Sequence, residues 1–286
     1  MYMKLKEKIA VGYIRVNLRL LAVLSKKKAA AKALRLFCTP FNQAKRNTTP
    51  LFNRAEKLQF SCDNKKVTGY RWNHPQQKKF LIVHGFQSGA RKFENYITPM
   101  INKGYEVLAF DAYAHGDSEG TQINVLQYKK LIEEVNRRYG PMDAFMAHSF
   151  GGLAVSLALE DIPHTRQTKL VLIAPATETN SAVDLLFEYL RLGHDLRKEF
   201  EDLIVAIGGK TVEWLSITRA IKNIQASILW IHDEDDDITP LKDVKPLMSA
   251  GFPNIEFMIT KGWGHRRIYH EQKVLNAITA FLTFNN

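Results

Sequence analysis

From about residue 57 onward the chain alternates two kinds of run, and this alternation constrains its fold more than any other feature. "KLQFSC" and "VTGYRW" are followed by "KFLIVH", "YEVLAF", "MDAFMAH", "KLVLIAP", "SILWIH" and "IEFMIT", all short strand-type runs. Helix-type stretches such as "QYKKLIEEVNRRYG" separate the last six, the pattern of parallel strands joined by helical crossovers. The first two, joined through "DNKK", read as an antiparallel hairpin. The expectation is an α/β fold with a mostly parallel central sheet of about eight strands flanked by helices. One interval is too long for a plain crossover, because about fifty residues separate Pro175 from Ser227. "SAVDLLFEYLRL", "HDLRKEFEDLIVAIGG" and "TVEWLSITRAIKNI" read there as two or three helices, expected as a small helical cap inserted at about 178–225. The expected division is an N-terminal segment, 1–50, and an α/β domain, 51–286.

Charge separates the same two parts. The net charge is +11, yet residues 1–50 hold twelve Lys or Arg and a single acid, Glu7, which accounts for all of it. Residues 51–286 carry 28 basic and 28 acidic residues, so the body is neutral, has no basic stripe for phosphates and argues against a nucleic-acid partner. The most apolar tail segment, "IAVGYIRVNLRLLAVL", is 16 residues long and contains Arg15, Asn17 and Arg19. A spanning helix needs about 20 mostly apolar residues, and each central Arg adds roughly 2.5 to 3.5 kcal/mol of insertion cost. "KKK" at 26–28 stands where a signal peptide would need small residues. Read as a helix over 9–24, the segment puts Ile9, Tyr13, Val16, Leu20 and Val23 on one face, opposite Lys8, Arg15, Arg19 and Lys26. That pattern suits an anionic membrane surface as the partner of residues 1–50, with a helix docked on the body as an equal alternative. Residues 57–286 are expected to fold and act without it. Only Cys38 and Cys62 are present, with no C-x-x-C spacing, so the simplest setting is the reduced cytoplasm, the tail lying on the inner face of the membrane.

The chemistry-bearing stretch is "AHSFGG", residues 147–152, between a strand-type and a helix-type run. In the nucleophile elbow G-x-S-x-G, small flanking residues let the backbone turn sharply and lift the Ser hydroxyl above the sheet. Here Ala147 replaces the first Gly and Gly151 is kept. A Ser N-cap on the helix explains the hexapeptide equally well. What decides between them is chain order: a serine nucleophile needs a His base and a carboxylate that orients it. The carboxylate cluster "DEDDDITP" follows one later strand and "KGWGHRR", with His265, follows the next, the order acid then His. An oxyanion hole needs backbone N–H groups from the residue after the nucleophile and from the loop after the third strand, here Phe150 and Phe86. His84 beside it reads as a buried, hydrogen-bonded loop residue.

These motifs together resemble the α/β-hydrolase superfamily over roughly residues 57–284. "VHGFQ" is similar to its oxyanion loop, "DAYAHGDSEG" to the D-x-x-G-H-G-x-S-x-G loop, "IHDEDDDITP" to H-G-x-x-D-x-x-V-P and "GWGH" to the histidine loop. Within the superfamily the chain looks most like small serine esterases and monoacylglycerol-lipase or serine-aminopeptidase-like members. The resemblance implies a triad of Ser149, His265 and, four residues after His232, Asp236, with Asp235 in reserve should the register slip by one. Asp233 stands in the family's Gly position and Thr239 in its Val position, and the other acids of the run read as a solvated loop. The implied function is hydrolysis of a carboxylic ester or related acyl compound through an acyl-enzyme, with no metal and no cofactor. Acyl transfer on the same triad, or a catalytically silent scaffold that binds a ligand or partner, are the alternatives. An elbow Ser argues against the Asp-dependent epoxide and haloalkane hydrolases. Leu185, Leu186, Phe187, Tyr189 and Leu190 are read as either acyl-pocket lining or cap core, and Arg266 and Arg267 as solvated loop residues or an anion contact.

Overall fold

The structure, a computed structural model, describes residues 5–41 and 49–283, with side chains from Ile9 onward. Its sheet has eight strands: β1 (Glu56–Cys62), β2 (Lys65–Trp72), β3 (Lys78–Val83), β4 (Tyr105–Phe110), β5 (Ala144–His148), β6 (Lys169–Ile173), β7 (Ser227–Asp233) and β8 (Ile255–Thr260). Their order is β1-β2-β4-β3-β5-β6-β7-β8. β1 and β2 pair antiparallel through the expected hairpin, whose two turn residues, Asp63 and Asn64, have φ of 49° and 57°. Asx residues tolerate that left-handed conformation, which a two-residue turn between twisted strands requires. β2 also meets β4 antiparallel, and β3 to β8 are parallel throughout.

Period-2 alternation positions the core. Phe80 and Ile82, Val107 and Ala109, Ala144 and Met146, Val171 and Ile173, and Leu229 and Ile231 share one buried cluster. Tyr96, Ile97 and Met100 of the helix Glu94–Asn102 and Val274 and Ile278 of the helix Gln272–Phe281 pack into it. The intervening residues Leu81, Leu108, Phe145, Leu170 and Leu172 face the other way and are also buried, so the central strands are apolar on both faces. Parallel strands end together, which gathers the loops after β3, β5, β7 and β8 at one edge.

Residues 1–39 and 178–215 form one compact unit and residues 40–177 and 216–286, which contain the sheet, form another. The sequence expectation cut the chain at 50 and ran the insertion to about 225. The first unit holds α1 (Leu5–Leu24), α2 (Lys26–Phe37) and the helices Thr179–Leu190 and His194–Gly208. Ser25 ends α1 and starts α2, its hydroxyl accepting the Lys28 N–H as an N-cap. The buried cluster takes Leu18, Ala29, Ala30, Ala33 and Leu34 from the tail and Val183, Phe187, Leu190, Leu196, Phe200 and Val212 from the insertion. Phe187 and Leu190 are thus core of this unit, Phe187 lying edge-on to Phe200 at 5.3 Å, while Leu185 and Tyr189 are exposed.

α1 is therefore apolar on two faces. Ile14, Leu18, Leu21 and Ala22 pack inward. The stripe Ile9, Tyr13, Val16, Leu20 and Val23, expected to share a face, is 57 to 86% exposed. Arg15 donates from Nε to the Tyr189 carbonyl at 3.0 Å and Arg19 to the Arg191 carbonyl at 3.2 Å, satisfying carbonyls that end the helix Thr179–Leu190. Lys26 pairs with Asp195 at 2.9 Å. Lys8, the fourth member of the expected basic stripe, lies outside the described side chains. The inward face was not anticipated because its partners stand about 170 residues away in sequence. It also changes the expectation that residues 57–286 fold alone, since their insertion helices would lose the tail half of their core.

Candidate active site

Four loops at the carboxyl edge of the sheet build the site. Ser149 follows β5 directly and holds φ 54°, ψ −123°, a conformation costly for a residue with a side chain, by about 1 to 3 kcal/mol. Its side chain makes no cap hydrogen bond to the helix Phe150–Leu159, and these angles are not those of an N-cap. The turn is fixed on both sides. The Ser149 N–H donates to the Ile173 carbonyl at 3.1 Å, and its carbonyl accepts from Gly152 and Ala176 at 2.8 and 3.0 Å. A Cβ on Gly151 would fall 2.4 Å from the His84 carbonyl oxygen, which is why the position after Phe150 has no side chain.

The hydroxyl that this turn lifts lies 2.9 Å from His265 Nε2, and His265 Nδ1 lies 2.8 Å from Asp236 Oδ2. All three residues are buried. Asp236 takes two backbone N–H groups on its other oxygen, from Ile238 at 2.9 Å and Thr239 at 2.8 Å. Burial pushes the Asp236 carboxyl up, but the hydrogen bond and charge of His265 and these N–H donors outweigh it and leave the group below the usual carboxylate range. Asp236 is thus an ion in the resting site, with His265 and two backbone N–H groups arranged around it. Asp235 does not reach His265. Its carboxylate accepts the Gly262 N–H at 3.0 Å.

Of the other acids in the run, Glu234, Asp235 and Asp237 are exposed, as the sequence suggested, and Asp233 is the exception. Asp233 is fully buried and accepts from Thr260 Oγ1 at 2.7 Å and from the N–H groups of Asp235, Trp263 and Gly264 at 3.1, 3.2 and 3.0 Å. Asp233 and the exposed Asp235 both accept from the backbone of the histidine loop, and Glu234 pairs with Lys261 at 3.1 Å. Local polarity alone could not reveal this, because three of the four donors to Asp233 come from the end of β8 and the loop that follows it.

Phe86 follows β3 through His84 and Gly85. A Cβ on Gly85 would lie 2.9 Å from His148 Nδ1 and 3.1 Å from Ser149 Cβ, so the backbone that carries Phe86 passes against the elbow. The rings of Phe86 and Phe150 meet edge-on at 5.6 Å. Two neutral histidines brace this loop. His84 Nε2 accepts the Ala112 N–H at 2.9 Å while its Nδ1 donates to the Gly85 carbonyl, and His115 Nε2 accepts the Gln87 N–H at 3.1 Å while its Nδ1 donates to the Tyr113 carbonyl. Burial lowers both to about 4, so neither carries charge at neutral pH. His148, inside the elbow motif, approaches the His265 carbonyl from Nε2 at 3.1 Å, and the two rings lie tilted with centroids 4.8 Å apart. Burial first, and then the neighbouring His265, drives it down to about 3. Sequence reasoning missed His115, His148 and Thr239 as neighbours of the site, although each stands inside one of the quoted motifs. Arg266 and Arg267 are exposed, Arg267 pairing with Glu271.

The mostly parallel sheet that carries this serine is shared with known proteins. Residues 74–227, more than half of its length, match the family described as serine aminopeptidase, S33. The chain belongs to that family. As an S33-type protein it has the α/β-hydrolase fold. The matched segment includes the elbow and the oxyanion loop and ends before Asp236 and His265. Among relatives, the putative esterase/lipase 2 of Mycoplasma genitalium is 24% identical over 136 residues, 44% of this chain and 50% of that protein. The chain spans about half the length of the first curated relatives it matches. The esterase Pf2001 of Pyrococcus furiosus superposes with a TM-score of 0.63 at 19% identity, over 85% of this chain and 95% of that one. A bacterial membrane phospholipase A superposes with a TM-score of 0.61 at 14% identity, over 96% of this chain and 97% of that one.

Proposed function

We propose that the protein hydrolyses a carboxylic ester or a related small acyl compound with Ser149 as nucleophile. The single observation that carries this reading is the Ser149 Oγ, His265, Asp236 relay, with steps of 2.9 and 2.8 Å. His265 Nε2 takes the Ser149 proton as Oγ attacks the acyl carbon, and Asp236 holds the Nδ1–H and stabilises the imidazolium. The N–H groups of Phe86 and Phe150 receive the oxyanion, a contribution of roughly 2.7 to 4 kcal/mol for each such donor. His265 returns its proton to the leaving alcohol, then activates a water that releases the acid and regenerates Ser149. The test is labelling by a serine-reactive fluorophosphonate together with turnover of a panel of soluble esters. Wild-type protein is expected to label at Ser149 and to lose both labelling and turnover, by on the order of 10⁴-fold or more, in Ser149→Ala and His265→Ala. Near wild-type turnover by Ser149→Ala on every ester the parent cleaves would reject the reading. A folded wild-type protein that neither labels nor turns over would mark a silent scaffold.

A second part of the proposal concerns where the acyl compound is met. α1 presents the exposed stripe Ile9, Tyr13, Val16, Leu20 and Val23 in a segment whose first fifty residues carry a charge of +11. An apolar face flanked by basic residues suits a helix lying in an anionic lipid surface, where each Lys or Arg adds roughly 1 kcal/mol that salt weakens. No helix among the described residues is long and apolar enough to cross a membrane. Full-length protein is expected to sediment with anionic vesicles at low salt and less at high salt, and to bind neutral vesicles weakly. Val16→Asp with Leu20→Asp should abolish the effect. Indifference to anionic vesicles, or equal binding by the double variant, would overturn it, as would self-association of the unbound protein through the same stripe.

A further inference from the structure

Thr239 stands three residues past Asp236, 8% exposed, and its hydroxyl meets three polar atoms of the site. Oγ1 lies 2.9 Å from Asp236 Oδ2, 3.1 Å from His265 Nδ1 and 3.2 Å from the Ala174 carbonyl oxygen. A hydroxyl has one proton and two lone pairs. Nδ1 of His265 carries the hydrogen directed at Asp236, so Oγ1 can only accept from that side. The proton of Thr239 then goes either to the carboxylate or to the Ala174 carbonyl. The carboxylate is both nearer and charged, and a charge-assisted hydrogen bond is roughly twice as strong as a neutral one.

We propose that Thr239 is a positioning residue of the reaction, donating its hydroxyl to Asp236 Oδ2 so that the carboxylate is held against His265 while part of its charge is drawn away from the imidazole. This rests on the reading of Ser149, His265 and Asp236 given above. Other groups around His265 leave the effect readable. His148 of the elbow and His232 of β7 are both lowered by burial, His148 to about 3, so they stay neutral where the enzyme would work. Asp233 and Asp236, each pushed up by burial and then down further by their donors, stay ionised there. Asp235 is occupied by Gly262, and Arg266 and Arg267 are exposed to solvent.

Valine has the shape of threonine without the donor, so Thr239→Val removes the hydrogen bond and little else. Without it the Oδ2 charge acts on His265 undiminished, and a base held more firmly in its protonated form requires a higher pH before it can accept the Ser149 proton. The expected result is that the acidic limb of the kcat/KM profile, measured on a soluble short-chain ester, moves up by roughly half a pH unit in Thr239→Val. The plateau kcat should fall by about three- to tenfold, the scale of one buried hydrogen bond, with KM nearly unchanged. Thr239→Ser, which keeps the hydroxyl, should restore the wild-type limb. A limb that stays in place or moves to lower pH in Thr239→Val overturns the inference, the second outcome meaning that the hydroxyl serves Ala174. Failure of Thr239→Ser to restore it does so as well. Should the valine variant not fold, Thr239→Ala reads the same limb. Ser149→Ala measured alongside separates the two ideas: if it retains turnover, the nucleophile assignment falls, whereas an inactive Ser149→Ala with an unmoved Thr239→Val profile removes only the role of Thr239.

Discussion

The two compact units of this chain handle polar and apolar groups in opposite ways. In the sheet unit, the two buried carboxylates of the acidic run are each met by several donors: Asp236 by His265, Thr239 and two backbone N–H groups, and Asp233 by four. In the unit of tail and insertion, the ion pairs Lys26–Asp195 and Arg197–Asp184 lie at the surface, and large apolar side chains are exposed beside the charged ones. Of the thirteen large hydrophobic side chains exposed among the described residues, ten belong to this smaller unit. A site that must hold a base within a few tenths of an ångström of a hydroxyl needs a saturated, rigid surround. A helical unit that leaves a stripe of α1 in water has a different demand, namely something apolar to set that stripe against.

The sharpest way to break the comparison is to disturb the matched carboxylates one at a time. Asp236→Asn should lower turnover by on the order of 10³ to 10⁴-fold, because the amide can no longer orient and stabilise the imidazolium. Asp233→Asn removes an acceptor from the histidine loop without touching His265, so its loss should be smaller and accompanied by reduced stability. Asp235→Asn, on an exposed side chain with one backbone donor, should be mildest of the three. Steady-state kinetics on a soluble ester, with unfolding curves for each variant, would measure this ranking. If Asp235→Asn proves the most damaging, the acid has been assigned one residue too late.

Much of the sheet unit was legible in the sequence because its signals are local and its order is fixed by chain direction. The eight strand runs, the hairpin at Asp63–Asn64, the elbow at Ser149 and the acid and histidine loops after β7 and β8 all follow from short quoted segments. Supports that depend on two loops meeting were not legible. Asp233 reads as one more acid of a solvated loop until Gly264 is placed beside it, and His115 reads as a motif residue until Gln87 turns its N–H toward the ring. The tail shows the same limit from the apolar side. A helical projection of α1 yields the stripe Ile9 to Val23, but Leu18 looks like one more apolar residue until the helices after Glu178 supply its neighbours.

The smallest expected effect tests the contrast inside α1 itself, between two leucines two residues apart. Leu18 is fully buried in the cluster with Phe187 and Phe200, whereas Leu20 is 64% exposed. Removing a buried leucine side chain leaves a cavity as well as losing its transfer free energy, so Leu18→Ala should destabilise the unit by about 2 to 5 kcal/mol. Leu20→Ala gives up contacts only with water and should change stability by no more than about 0.5 kcal/mol. Because the chain has two compact units, a single unfolding midpoint need not report on this one, and amide hydrogen exchange within α1 and α2 is the better measurement. Leu18→Ala should speed exchange across both helices and leave the strands β3 to β6 protected. Leu20→Ala should leave α1 and α2 as protected as before in solution, yet weaken protection gained on adding anionic vesicles. Were Leu20→Ala to loosen α1 as much as Leu18→Ala in the absence of lipid, the stripe would already be covered in solution, and the contrast between an inward and an outward apolar face would fail.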